Sequence, residues 1–196
     1  MTAKSFNKAV FLDRDGCISP DKFGYISDPA GYELYPYTGE ALRLLKSLGY
    51  LLILVTNQSG IARGYFDFPQ LEKVHAKLRD LLAAEGAKLD AIYFSPYLKE
   101  GIVEPYNIAH EDRKPGLGMF RRAQREFRID PAASWMIGDR ETDIAFGKKA
   151  QLKSILLLSG NGAQEMLSGP WNWEYRPDFM AESLLTAAKL IELMQP

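Results

Sequence analysis

The chain has 196 residues, 46% of them hydrophobic and 25% charged, the size and balance of one packed domain spanning 1–196; disordered, collagen-like and coiled-coil classes are excluded. Its 24 Lys and Arg against 25 Asp and Glu leave a formal charge of -1, with no bulk attraction to nucleic acid or anionic lipid. A lone cysteine, Cys17, excludes an intrachain disulfide framework and any zinc site built on several thiolates.

Met1 to Lys8 carries no apolar run, and no stretch reaches the roughly 18 apolar residues of a membrane span, so a cytoplasmic protein without membrane contact is expected. The first strand is predicted at Ala9 to Leu12, followed by an aperiodic segment, Gly16 to Tyr37. A helix over Ala41 to Leu48 leads to a second strand, Leu51 to Val55. The next helix, Gln70 to Ala84, places Leu71, Val74, Leu78, Leu81 and Leu82 on one face, with Asp67 as its cap, Pro69 in its first turn and Gly86 as its stop. His75, among those leucines, reads as a packing residue. A third strand, Ala91 to Phe94, precedes another aperiodic stretch, Ser95 to Arg113. There follow a helix from Gly116 to Phe127, a strand at Trp135 to Ile137, a helix from Thr142 to Ala150, a strand at Ile155 to Leu158 and a last helix from Ala181 to Met194. Trp171, Trp173 and Tyr175 are expected to pack near that last helix. Short apolar strands alternating with helices predict an α/β fold, a doubly wound parallel sheet with helices on both faces. Both aperiodic segments follow strand C-termini, where such sheets bind ligands.

Chemistry concentrates at those strand ends. In Phe11-Leu12-Asp13-Arg14-Asp15-Gly16, alternate residues of an extended chain place Asp13 and Asp15 towards one site while Arg14 points elsewhere, and Gly16 permits the turn. One carboxylate can attack phosphorus while a second donates a proton to the leaving oxygen, and their repulsion calls for a cation that suits oxygen ligands, Mg²⁺. Ile137-Gly138-Asp139 brings another acid to a strand end, with Asp143 one helical turn on. Thr56-Asn57-Gln58-Ser59-Gly60 offers a hydroxyl, amides and backbone N–H groups to a tetrahedral anion, and Arg63 follows. Arg113-Lys114-Pro115-Gly116 supplies cations just ahead of a helix. Each element alone also reads blandly, as an acidic turn, a helix cap, a reverse turn or a surface lysine.

Taken in order, Asp13-Arg14-Asp15-Gly16, Thr56-Asn57, Lys114 and Gly138-Asp139 to Asp143 resemble the motifs of the haloacid dehalogenase (HAD) superfamily of phosphotransferases over Val10 to Ser159. The longer strings, Thr56 to Gly64 and Arg113-Lys114-Pro115 among them, are similar to the branch of heptose bisphosphate and histidinol phosphatases. The resemblance implies a Mg²⁺-dependent phosphomonoesterase with Asp13 as nucleophile and Asp15 as general acid and base. It assigns the metal to the Asp13 carboxylate, the Asp15 carbonyl and Asp139, and phosphoryl oxygens to Thr56 and Asn57. Lys114 would neutralise charge, Arg113 would contact the rest of the substrate, and Asp143 would support the metal or Lys114 from behind; Gln58, Ser59 and Arg63 are expected to border the substrate from their place in the turn, where Arg63 reads equally as an exposed arginine. The spacing leaves no room for a large cap domain.

Two departures stand out. Cys17 replaces the threonine common after this Asp-Gly, leaving at most a weak thiol hydrogen bond. The cysteines with which relatives bind a structural zinc are absent; Ser95-Pro96-Tyr97 and His110-Glu111-Asp112 stand in their place, so no structural zinc is expected. Pro96, Pro105, Tyr97 and Tyr106 are expected to hold that loop instead. The expected partner is a small phosphorylated metabolite, foremost a heptose bisphosphate gripped by Arg113, and a monomer is favoured. Histidinol phosphate is the alternative, kept open by Glu100, Glu104, Glu111 and Asp112; a nucleic-acid 3′-phosphatase would need a basic stripe.

Overall fold

The computed structural model describes residues 6–21, 25, 28–169 and 172–195. Six parallel strands form its sheet: β1 (Ala9–Leu12), β2 (Leu51–Asn57), β3 (Ala91–Ser95), β4 (Trp135–Gly138), β5 (Lys153–Leu157) and β6 (Phe179–Ala181). Their spatial order is β3-β2-β1-β4-β5-β6, so the direction of winding reverses beside β1. The helices are α1 (Thr38–Ser47), α2 (Phe68–Ala84), α3 (Gly118–Phe127), α4 (Glu141–Lys149), α5 (Gly162–Leu167) and α6 (Leu184–Leu193). Among the described residues no helix is long and apolar enough to cross a membrane.

The period-two geometry of the strands divides the core into two layers. Val10, Leu12, Leu52, Leu54, Trp135, Ile137, Ile155 and Leu157 pack with α1, α2 and α6 on one face. Ala9, Phe11, Ile53, Val55 and Met136 pack with Met119 and Phe120 of α3 and Phe146 of α4 on the other. Helices therefore cover both faces, as the alternating pattern predicts. α2 has its expected ends: the Asp67 carboxylate accepts from Gln70 N at 2.8 Å, and Gly86 takes φ +66°.

The C-terminal third departs from the expected elements. Ala181 belongs to β6, and α6 begins only at Leu184, where the Ser183 hydroxyl accepts from Thr186 N at 3.3 Å. β6 and α5 lie outside the expected elements, because each is short and carries a single buried position, Ala181 in β6 and Gly162 in α5. The helix expected from Gly116 starts at Gly118, since Gly116 N and Gly118 N are spent on Arg113 O and Glu111 O in a preceding turn. Trp171 lies outside the described residues; Tyr175 meets Lys149 of α4, whose Nζ is 5.8 Å from its ring centroid.

The loop after β3 is held largely as expected. Tyr97 packs on Tyr106 at 5.9 Å between centroids, and Tyr106 on Phe68 at 5.2 Å. His110, unforeseen in this role, stacks on Tyr97 at 3.8 Å. Ile102 N and Val103 N both donate to Ala62 O, which ties the loop to the turn after β2.

Candidate active site

Because β1 pairs in parallel with β4, Leu12 opposite Ile137, the acids that follow each strand arrive side by side. Carboxylate oxygens of Asp13, Asp139 and Asp143 lie within 4.8 Å of one another, all buried. Gly16 turns the chain away at φ +84°, and a Cβ there would overlap the Asp139 carboxylate, so the close approach requires glycine. Asp143 reaches the cluster from the first turn of α4, where its Oδ2 accepts from Arg140 N at 3.1 Å.

Lys114 reaches this cluster from the turn that precedes α3. Its Nζ stands 2.9 Å from Asp13 Oδ1 and 2.6 Å from Asp143 Oδ1. Burial opposes its charge, but the two carboxylates outweigh burial and hold the ammonium above the ordinary lysine range. One ammonium does not balance three acids. Burial, reinforced by Asp143 and Asp15 against Lys114, pushes Asp13 up to about 6. Burial with the charges of Asp13 and Asp143 raises Asp139 to about 8. Asp139 Oδ2 accepts from Asn161 N at 2.7 Å and Asn161 Nδ2 at 3.2 Å, whereas the buried Oδ1 has no hydrogen-bond partner. An orphaned carboxylate oxygen in an all-oxygen cluster fits a hard divalent cation such as Mg²⁺.

The turn after β2 forms the facing wall. Asn57 Oδ1 accepts from Lys114 N at 3.0 Å and its Nδ2 donates to Lys114 O at 3.2 Å, so its side chain braces the backbone that carries the lysine. Gln58 Nε2 donates to Thr56 Oγ1 at 2.9 Å and to Asp15 Oδ2 at 3.1 Å. The Ser59 and Tyr25 hydroxyls are 3.1 Å apart. Asp13, Asp15, Thr56, Asn57, Gln58, Ser59, Lys114 and the guanidinium-bearing Arg63, Arg113 and Arg140 all line one cavity of about 640 Å³. That volume suits a small metabolite. A second hollow of about 530 Å³, lined by Leu42, Arg43, Lys46, Leu52 and Ala83, opens near the start of β2 and holds none of these acids.

The chain is similar in sequence and fold to known proteins. The HAD-hydrolase-like family model matches residues 112–187. The chain is 39% identical to D-glycero-beta-D-manno-heptose-1,7-bisphosphate 7-phosphatase of Pasteurella multocida over 186 residues, covering 94% of this chain and 97% of that protein. It is 38% identical to D-glycero-D-manno-heptose-1,7-bisphosphate 7-phosphatase of Thermosynechococcus vestitus, covering 93% and 94% of the two chains. The chain belongs to the HAD phosphatases. It is a phosphoric monoester hydrolase. Among solved structures it resembles D,D-heptose 1,7-bisphosphate phosphatase from B. bronchiseptica, complexed with magnesium and phosphate, with a TM-score of 0.82, 28% identity and coverage of 96% and 99%.

In this HAD phosphatase, Asp139 and Asp143 stand fully buried beside Asp13 while the other expected site residues line the cavity. Arg14 differs from expectation. Instead of leaving the site it is wholly buried, and its guanidinium folds back onto Asp15. Cys17 is buried with Sγ 3.7 Å from Ile137 O, the weak thiol contact anticipated, and burial pushes its thiol well above the usual range. Asp21, Tyr25, Arg140 and Asn161 were not singled out. Asn161 follows the C-terminal end of β5 and Arg140 follows Asp139, so the strand-end rule pointed to both.

Proposed function

We propose that this phosphatase removes one phosphate from a bisphosphorylated sugar, a heptose 1,7-bisphosphate, through a phosphoryl-Asp13 intermediate. The observation that carries the choice is the cation content of the cavity wall: Arg63 and Arg113 line it together with Lys114, while Arg140, also in the wall, is paired with Asp21 at 3.0 Å. A second phosphate is the partner those groups suit, by paired charged hydrogen bonds. The acids that favoured cationic histidinol phosphate are not in that lining; Glu111 pairs with Arg121, and Asp112 with Arg122 at 3.4 Å. The heptose substrates in the names of the similar proteins support the same reading.

Asp13 attacks phosphorus, its oxygen forming the new P–O bond as the bond to the sugar oxygen breaks, and Asp15 gives that oxygen its proton. Water then attacks the phosphoryl group, Asp15 takes the water's proton, and the P–O bond to Asp13 breaks. The Thr56 hydroxyl and the Asn57 N–H hold phosphoryl oxygens, and Lys114 balances charge on Asp13 and the phosphate. Mg²⁺, held by the Asp13 and Asp139 carboxylates and the Asp15 carbonyl, would supply charge neutralisation for the phosphoryl oxygens. Asp143 keeps Lys114 in place. No structural zinc is needed in this reading, because the Tyr97–His110 stack orders the loop after β3. The same reading takes the protein to be a cytoplasmic monomer acting as one domain on a small metabolite.

Phosphate release from heptose 1,7-bisphosphate, histidinol phosphate, an aryl phosphate and a 3′-phosphorylated oligonucleotide tests the assignment. The bisphosphate should be cleaved with the highest kcat/KM, and Asp13→Asn should abolish turnover while the protein stays folded. Faster turnover of histidinol phosphate or the oligonucleotide overturns the sugar assignment, and turnover above about a tenth of wild type in Asp13→Asn overturns the phosphoryl-Asp13 intermediate.

A further inference from the structure

Arg14 has no part in the chemistry described so far, yet it is among the largest side chains buried without residual exposure. Burying a guanidinium is costly unless its charge and its N–H groups are met. Here they are met almost entirely by the acid–base residue and its neighbours. Nε donates to Asp15 Oδ1 at 2.9 Å and Nη2 to Asp15 Oδ2 at 2.8 Å, a two-point grip that fixes the plane of the carboxylate. Nη2 also donates to Gln58 Oε1 at 3.0 Å, Nη1 lies 3.5 Å from His75 Nε2, and the Tyr32 ring centroid is 5.8 Å from Cζ. Gln58 closes the network, since its Nε2 reaches both Asp15 Oδ2 and Thr56 Oγ1. The Ser19 hydroxyl approaches Asp15 Oδ1 at 3.4 Å.

We infer that Arg14 is the positioning residue for Asp15, and that Gln58 ties that position to the phosphoryl-binding hydroxyl of Thr56. Proton transfer to a leaving oxygen needs the carboxyl within hydrogen-bond reach and correctly turned, and side-chain rotation about χ1 and χ2 would otherwise spread Asp15 over several orientations. The grip removes that freedom before substrate arrives. Asp15 keeps part of its surface in the cavity, with its side chain 24% exposed, so being held does not withdraw it from the substrate. The inference rests on the reading of Asp15 as general acid and base.

The test compares Arg14→Met, Gln58→Met and Asp15→Asn on two substrates, the heptose bisphosphate, whose alkoxide leaving group needs a proton, and an aryl phosphate, whose phenolate does not. In both Met variants kcat on the bisphosphate should fall by about tenfold or more with KM within about threefold of wild type. On the aryl phosphate the pre-steady-state burst of phenol should keep its rate within about threefold, while the steady state slows because water activation also needs Asp15. Asp15→Asn should show the same pattern more strongly. A loss of the burst together with a raised KM in the folded Met variants would mean a merely structural role, and unchanged kinetics would mean no role; either overturns the inference. If Arg14→Met does not fold, Gln58→Met decides. If Asp15→Asn itself lacks the pattern while the Asp13→Asn control is inactive, the acid–base reading of Asp15 fails and the inference falls with it.

Discussion

Arg113 shows how a side chain near a reactive group can be assigned to a different task. Its Nη1 donates to Tyr97 O at 3.2 Å, which fixes the guanidinium against the loop after β3 and not against Asp13. Burial lowers its proton affinity, and the neighbouring charges of Arg63 and Arg140 press the same way against Tyr25 and Glu100. Arg140 is paired with Asp21 at 3.0 Å, which leaves Arg63 and Arg113 as neighbouring cations whose repulsion an anion relieves, so their placement favours a substrate with charge beyond the cleaved group. Arg113→Ala should lower kcat/KM on the bisphosphate by about tenfold or more, the scale of a lost charged hydrogen bond at roughly 1.5–3 kcal/mol. On an aryl phosphate the change should stay within about threefold. Steady-state kinetics on both substrates decide the point, and equal losses would move Arg113 to the cleaved phosphate or to the scaffold.

At the scale of elements, the two outermost strands share a device that apolar patterning does not encode. One residue ahead of β3, Asp90 Oδ2 accepts from Leu52 N of β2 at 2.7 Å and pairs with Lys46 of α1. One residue ahead of β6, Asp178 Oδ2 accepts from Ser154 N of β5 at 2.7 Å and pairs with Lys148 of α4. Each carboxylate starts an edge strand by occupying an N–H of its inner neighbour. Burial opposes the Asp178 charge, but Lys148 and the Ser154 donors outweigh it and hold the carboxyl below its ordinary range. Asp178→Asn should therefore cost roughly 1–2 kcal/mol in chemical denaturation at neutral pH, less than a fully buried charged hydrogen bond because the side chain is partly exposed. An unchanged midpoint would remove the edge-setting role.

The same elements show what the sequence could reveal. β1, β2 and β4 are buried on both faces and read directly as apolar runs, and the acids after β1 and β4 follow from strand ends alone. β6 has three residues and one buried position, so its existence depends on the pairing that Asp178, just ahead of it, makes with β5 more than twenty residues back. Arg14 likewise gave no signal, because strand alternation fixes where a residue leaves the backbone and not where a long side chain returns. The pairing of Asn57 with Lys114 spans 57 residues and becomes visible only once β2 and the loop after β3 are neighbours.

For the molecule as a whole, the network that orients Asp15 carries a liability in acid. His75 is almost wholly buried, edge-on to Phe94 with centroids 5.7 Å apart, and its Nε2 lies beside the Arg14 guanidinium. Burial first, and then the Arg14 charge, lower its pKa to about 4, with Glu72 opposing and Arg79 assisting. The folded protein thus keeps this imidazole neutral, whereas the unfolded chain takes up a proton near the ordinary value of about 6.5. Between those values the unfolded state binds more protons, so stability is fully present above about 6.5 and is lost as pH falls towards 4. The loss attributable to His75 should reach on the order of 2 kcal/mol at pH 5 relative to neutral pH. His75→Gln retains a hydrogen-bond acceptor for Arg14 and has nothing to protonate in this range, so its stability should decline less over the same interval. Urea denaturation of both proteins at intervals from pH 7.5 to about 4.5 measures the difference. Parallel pH curves would mean that His75 becomes protonated inside the folded protein, and that the Arg14 network yields locally to accept a second charge.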